Sequence, residues 1–237
     1  MRSSKNLLKM ITLSMLIALG VVISPILRVE GMCPMAHFIN IVCSVFLGPW
    51  YSLLCATLIG IIRMLTMGIP PIALTGAVFG AFLSGVFYRL SKGRILFAVL
   101  GEVVGTGIIG AIMSYPVMTF LWGKEGLSWL FYVPSFICGT LIGGSIAYVF
   151  LRKFAANGML AKIQNLLGSK VYTDHSSLLS NTLTIAALGG ILFVVFELAA
   201  DIFQLTGLLW DNLSYVSLAV CGAAAVLYYI TKKVKSN

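Results

Sequence analysis

Apolar residues in this chain run in long blocks, and polar residues are confined to the gaps between them. Eight blocks are evident, at about residues 7–27, 35–47, 49–65, 72–88, 95–121, 129–151, 183–205 and 213–230. A helix needs roughly 20 apolar residues to cross a bilayer, within a range of about 17–25. All the blocks except the second reach that range. The second is short, so it is expected either to be deeply embedded in protein or to span only in part. Hydrocarbon offers no partners to backbone N–H and C=O groups, so runs of this kind form helices. The alternation of an outer-membrane barrel is absent. The predicted fold class is therefore an all-α polytopic membrane protein. Pro25, Pro34, Pro49, Pro70, Pro71, Pro116 and Pro134 all fall near block boundaries. That is where a residue that starts helices well and interrupts them badly belongs.

The spacing of the blocks divides the chain. Blocks one to six are joined by tight loops, which predicts a six-helix membrane unit over residues 1–155. A longer polar stretch follows, with Gln164, Asn165, Asp174 and His175, and reads as a cytoplasmic linker over 156–181. Its segment 159–167 has the pattern of an amphipathic helix. Residues 182–237 then form a two-helix appendix. No internal repeat is visible, which argues against an inverted-repeat carrier.

Composition and charge agree with this arrangement. The chain is 59% hydrophobic and 10% charged, whereas a soluble domain carries roughly 25% charged residues. Its net charge of +9 does not signal nucleic acid, because the basic residues cluster at block ends, where they set topology and meet anionic lipid heads. Thirteen of the sixteen Lys and Arg lie on one side of an alternating eight-span chain: Arg2, Lys5, Lys9, Arg89, Lys92, Arg94, Arg152, Lys153, Lys162, Lys170, Lys232, Lys233 and Lys235. Only Arg28, Arg63 and Lys124 lie on the other. This bias predicts that both termini are cytoplasmic. Block one is too long for a signal-peptide core and lacks a clear cleavage site, so it reads as a retained helix. The five cysteines show no C-x-x-C pair or zinc spacing, and four of them lie in apolar runs as small hydrophobes. Nothing in the sequence calls for a metal or cofactor.

Polar residues inside the blocks mark the candidate chemistry. His37 and Asn40 are three apart and share a helical face near the predicted outer end of the second helix. Both donate and accept hydrogen bonds, which suits a neutral heterocycle, although they could equally tie helices together. Arg28 and Glu30 stand in the preceding loop. Arg63, towards the end of the third helix, either reaches a ligand hydroxyl or phosphate or snorkels to headgroups. Thr75, at the outer start of the fourth, is a candidate for the same pocket. Glu102, with Thr106 one turn further on, is an intramembrane carboxylate and so a functional candidate by default. Counted along the fifth helix, it lies about 10 Å from the cytoplasmic side. That placement is far from an outer pocket and leaves a structural role open. Tyr115 lies nearer the outer end. Trp122, Trp129 and Tyr132 flank the loop 123–126, either as an interfacial belt or as a lid that stacks on a ligand. Small residues recur four apart at Ser14/Ala18, Gly76/Gly80/Ser84 and Gly139/Gly143, a spacing that lets helices approach closely.

The stretches Ser14-x-x-x-Ala18-Leu-Gly, Pro34-x-x-His37-x-x-Asn40, Leu47-Gly48-Pro49-Trp50-Tyr51, Arg63, the run from Thr75 to Ala81, and Gly101-Glu102 through Gly110 with Ser114-Tyr115-Pro116 together resemble the ThiW-type substrate-binding component of energy-coupling-factor (ECF) vitamin transporters. The resemblance covers about residues 7–155. It implies a six-helix bundle in a prokaryotic plasma membrane that captures hydroxyethylthiazole, the thiazole precursor of thiamine, on the outside. It also implies docking on a shared transmembrane T component driven by two cytosolic ATPases. The family's docking helix carries Ala-x-x-x-Ala; Ser14 and Ala18 occupy that place here. Residues 156–237 have no counterpart in that resemblance. Their acids Glu197, Asp201 and, in the following loop, Asp211 stay without an assigned role.

Two rival classes remain. An ion- or proton-coupled transporter would use Glu102 and Glu197. A membrane-embedded enzyme would need clustered carboxylates, or a nucleophile with a base beside it. The chain has no G-x-x-x-x-G-K-[ST] phosphate loop, so it is not itself an ATPase.

Overall fold

Unbroken apolar blocks require helices, and helices are what form. The computed structural model describes residues 2–26, 32–172 and 207–234, with further positions scattered between 178 and 200. The chain divides into two compact units, Met1–Thr173 and Asp174–Asn237. The first contains α1 (Arg2–Ile23), α2 (Pro34–Leu47), α3 (Pro49–Met67), α4 (Ile72–Leu90), α5 (Ile95–Leu121), α6 (Val133–Ala156) and α7 (Met159–Leu166). The second contains α8 (Leu208–Val234). Among the described residues, six helices are long and apolar enough to cross a membrane. The protein is an all-α, multi-pass membrane protein. Most of the block at 183–205 lies outside the described residues, including Glu197 and Asp201. Helix α8 begins at Leu208, so Asp211 sits in its first turn and not in a loop.

Glycine and proline set the helix limits. Gly48, at φ 95°, turns the chain sharply between α2 and α3, a conformation open to glycine without a Cβ penalty. Pro49 then starts α3, where its missing N–H costs nothing. Pro116 departs from the expected pattern. It lies inside α5 and not at a boundary. The helix continues through it with π-helical turns before and after, at Val103–Gly110 and Val117–Leu121.

The π turn at Val103–Gly110 has a packing purpose. A Cβ on Gly105 would lie 2.5 Å from the Gly80 Cα, and one on Gly110 would lie 2.6 Å from the Gly76 carbonyl oxygen. Residues four apart on α4 thus meet residues five apart on α5. An i→i+5 turn puts the second pair on one face, so the two backbones close along their glycines.

Helix α2 is the element around which the first unit is organised. Its fourteen residues reach about 21 Å, against up to about 40 Å for α5. Twelve of the fourteen are buried, because α3, α4 and α6 all pack against it. Ile39, Ile41, Val42, Cys43 and Val45 form the centre of the apolar core. The short second block is therefore both embedded in protein and too short to span.

The C-terminal end of α2 is closed by α7. In a continuing helix the Val45 carbonyl would accept from residue 49, but Pro49 has no N–H. Gln164 on α7 supplies the donor instead. Its Nε2 reaches the Val45 oxygen at 2.9 Å and the Tyr88 hydroxyl at 3.1 Å, fully buried. Leu160 and Leu167 seat the same helix in the core cluster, and Tyr172 packs edge-on against Tyr88 at 5.5 Å. Within the second unit, Asn181 Nδ2 donates to the Tyr228 hydroxyl at 3.0 Å.

Gln164→Leu preserves volume but leaves the Val45 carbonyl without its donor. It is expected to destabilise the bundle by about 1–3 kcal/mol, read as a lower midpoint of thermal unfolding in detergent. An unchanged midpoint would show that α7 is held by its apolar face alone.

Candidate functional site

Two helices deliver four polar side chains to one point. His37 and Asn40 project from the first turns of α2; Glu102 and Thr106 project from α5. Glu102 Oε1 accepts from His37 Nδ1 at 2.9 Å, Asn40 Nδ2 at 3.0 Å and Thr106 Oγ1 at 3.1 Å. Glu102 is 0% exposed. A carboxyl group buried in an apolar bundle is costly unless donors surround it, and here three converge on one oxygen. With Nδ1 turned to that oxygen, the His37 ring leaves Nε2 to face elsewhere. Nε2 lies 3.4 Å from the place a Cβ would occupy on Gly139. On α4, a Cβ on Gly80 would come 2.9 Å from the Glu102 carboxyl carbon, so the network needs glycine at that position. Ser52 Oγ donates to the Asn40 carbonyl at 2.8 Å and braces α2 from the side of α3.

This arrangement corrects the depth expected for Glu102. Counting residues from helix ends placed it far from any pocket that His37 could line. The count assumes that every helix crosses the same thickness. Helix α2 is about half as long as α5, so its first turn is sunk to the depth of Glu102, and the two residues touch.

The recess created by the short helix is a cavity of about 70 Å³. At about 10–15 Å³ per water, this is room for about five waters, the scale of one small ring. His37 and Thr106 give it a polar edge, and Arg63 from α3 gives it another. Ile69, Ile72 and Phe136 are apolar walls, and Ala73, Gly76 and Ala77 keep the α4 side open. A Cβ on Gly76 would lie 2.6 Å from the Phe136 ring, so glycine there admits the aromatic wall.

The other residues singled out from the sequence take varied places. Asn40 lies beneath the cavity, behind Glu102, and neither lines it. Thr75 Oγ1 pairs with Ser114 Oγ at 2.7 Å and ties α4 to α5 beyond the lining. Tyr115 stacks on Trp129 at 4.4 Å and meets Phe120 at 6.5 Å. Trp122 and Trp129 are exposed. Tyr132 is buried against Phe136 at 5.8 Å. This aromatic collar reaches the cavity only through Phe136. Ser14 and Ala18 lie on the exposed face of α1, while Leu13 and Leu16 point into the core. Arg28 and Glu30 lie outside the described residues. Among the described residues, no three His, Cys, Asp or Glu gather as metal ligands would. Sequence reasoning did not single out Ile69, Ile72, Ala73 and Phe136, which also line the cavity. Apolar wall residues carry no signal that separates them from residues packed on a helix or facing lipid.

A family model described as thiamine-precursor transporter protein (ThiW) matches residues 10–157, a span that includes every residue lining the cavity. No curated protein and no solved structure matches the chain.

Glu102→Gln keeps one oxygen for the three donors, whereas Glu102→Leu removes the acceptor they share and leaves Asn40 only its long contact to the Ala77 carbonyl at 3.5 Å. At about 1–3 kcal/mol per orphaned group, Glu102→Leu should lower thermal stability severely and Glu102→Gln only mildly. Equal stability of the two variants would show that the network does not hold α2 against α5.

Proposed function

The chain belongs to the thiamine-precursor transporter (ThiW) family, and on that basis we propose that it is the capture subunit of an ECF-type importer for hydroxyethylthiazole. The observation that supports this best is the cavity itself: one ring in size, walled by Phe136, Ile69 and Ile72, with His37 and Thr106 at one edge. Thiamine adds a second ring and a fixed positive charge, and among the described residues no acidic side chain lines the cavity to receive that charge. His37 is oriented by Glu102 through Nδ1, which leaves Nε2 to pair with a ligand hydroxyl.

In this reading the mouth of the cavity faces the outside of a prokaryotic plasma membrane and both termini are cytoplasmic, as the Lys and Arg bias suggests. The protein binds and releases, and performs no chemistry. Energy comes from two cytosolic ATPases through a T component docked on α1. The exposure of Ser14 and Ala18 supports that face as the docking surface. Small side chains there would let a partner helix approach closely. A proton-coupled carrier is the second reading, favoured by the buried His37–Glu102 pair. Uptake that stops when the ATPases are lost would exclude it.

Calorimetry on the purified protein should show tight binding of hydroxyethylthiazole and weak binding of thiamine. Equal or tighter thiamine binding would overturn the assignment. His37→Ala should weaken thiazole binding by about 1–3 kcal/mol by leaving a ligand polar group unpaired, and an unchanged affinity would confine His37 to the structural network. Ala18→Trp should abolish uptake in cells while the purified variant binds ligand normally, because the side chain points away from the core. Loss of binding together with uptake would refute docking at this face.

A further inference from the structure

We propose that the cavity contains an anion subsite centred on Arg63, and that the preferred ligand is a small ring whose side arm ends in an anionic oxygen group, a carboxylate or a phosphate monoester. The inference rests on the proposed thiazole-capture reading for the ring but on Arg63 alone for the charge.

Arg63 is only 4% exposed and lines the cavity. Its Nε is buried and meets no hydrogen-bond acceptor among the described residues. Snorkelling does not describe this side chain. A snorkelling arginine keeps its guanidinium in water or headgroups, whereas Arg63 turns inward one turn before the end of α3, and Leu65, Thr66 and Met67 beyond it are exposed. Among the described residues, no carboxylate lies within 4.0 Å of it. Glu102 gathers three donors on Oε1 and leaves Oε2 buried without a hydrogen-bond partner, and the only basic group within 4.0 Å of it among the described residues is His37. Glu125 is exposed in the loop between α5 and α6.

A buried, uncompensated guanidinium is unfavourable, and the cost is relieved when a matched acceptor enters. Guanidinium presents a planar fork of N–H donors that fits the paired oxygens of a carboxylate or phosphate. A neutral hydroxyl satisfies one donor and leaves the charge unpaired. Among the described residues the rest of the lining is apolar apart from His37 and Thr106, so none of these side chains offers Arg63 an anionic partner, and a ligand can supply it. The apolar walls hold the ring, and Arg63 takes the arm.

The test uses the full chain in nanodiscs and three probes sharing the 4-methylthiazole ring: the 5-hydroxyethyl alcohol, its phosphate monoester, and the 5-carboxymethyl acid, which matches the alcohol in size. At least one anionic form should bind about tenfold or more tightly than the alcohol, and which one does so identifies the arm. In Arg63→Gln that preference should vanish, and in Arg63→Lys it should shrink. Without ligand, Arg63→Met should raise the melting temperature, because it removes an unpaired buried charge; a structural arginine would lower it. The proposal falls if the alcohol binds as tightly as both anionic forms, if the preference survives Arg63→Gln, or if Arg63→Met destabilises the unliganded protein. Tight binding of the alcohol alone would leave the thiazole function standing and remove the anion subsite. If no thiazole binds, benzoate and nicotinate serve as ring-carboxylate probes. Arg63-dependent binding of either would keep the subsite and reject the thiazole function, and no binding would reject both.

Discussion

One carboxyl oxygen holds the membrane unit in register. Glu102 Oε1 receives donors from both α2 and α5, and in an apolar interior no water competes for those bonds. Each donor left unpaired there would cost more than the bond itself contributes in water. The network therefore specifies one depth for α2 relative to α5. Sliding α2 by a turn would separate His37 and Asn40 from their acceptor. The glycines on α4 serve the same register, since a side chain at Gly80 would occupy the space of the carboxyl group.

The cavity follows from that register. A helix of fourteen residues fixed at this depth cannot reach as far as its neighbours, and the space beyond its first turn becomes a recess bounded by α3, α4, α5 and α6. The network then has two roles. It anchors the short helix, and it presents His37 and Thr106 as the polar edge of the recess. The residues that hold the helices together thus also line the recess, and their hydrogen bonds fix its polar floor in place.

The opposite end of α2 is secured by different chemistry. Pro49 removes a donor that helix continuity would supply, and Gln164 of α7 replaces it. The helix that carries the polar floor is thus tied at its far end to the amphipathic segment that follows the bundle.

Much of this was legible in the chain. Hydrophobic block length dictated helices and spans, because unsatisfied backbone groups are not tolerated in hydrocarbon. Polar side chains within those blocks identified His37, Asn40, Arg63 and Glu102, because such residues are expensive in a membrane and stand out against it. The sequence also marked the second block as short, and so either embedded in protein or spanning only in part. What it did not carry was relative depth. Residue counting treats helices as equal rods, and the offset of α2 against α5 comes from side chains that meet only after folding. Pro116 inside α5 and the π turn that aligns Gly105 and Gly110 with Gly80 and Gly76 were likewise decided by packing. The apolar walls of the cavity were invisible for a related reason: Ile69 or Phe136 reads the same whether it faces lipid, core or ligand, and only the tertiary arrangement determines which.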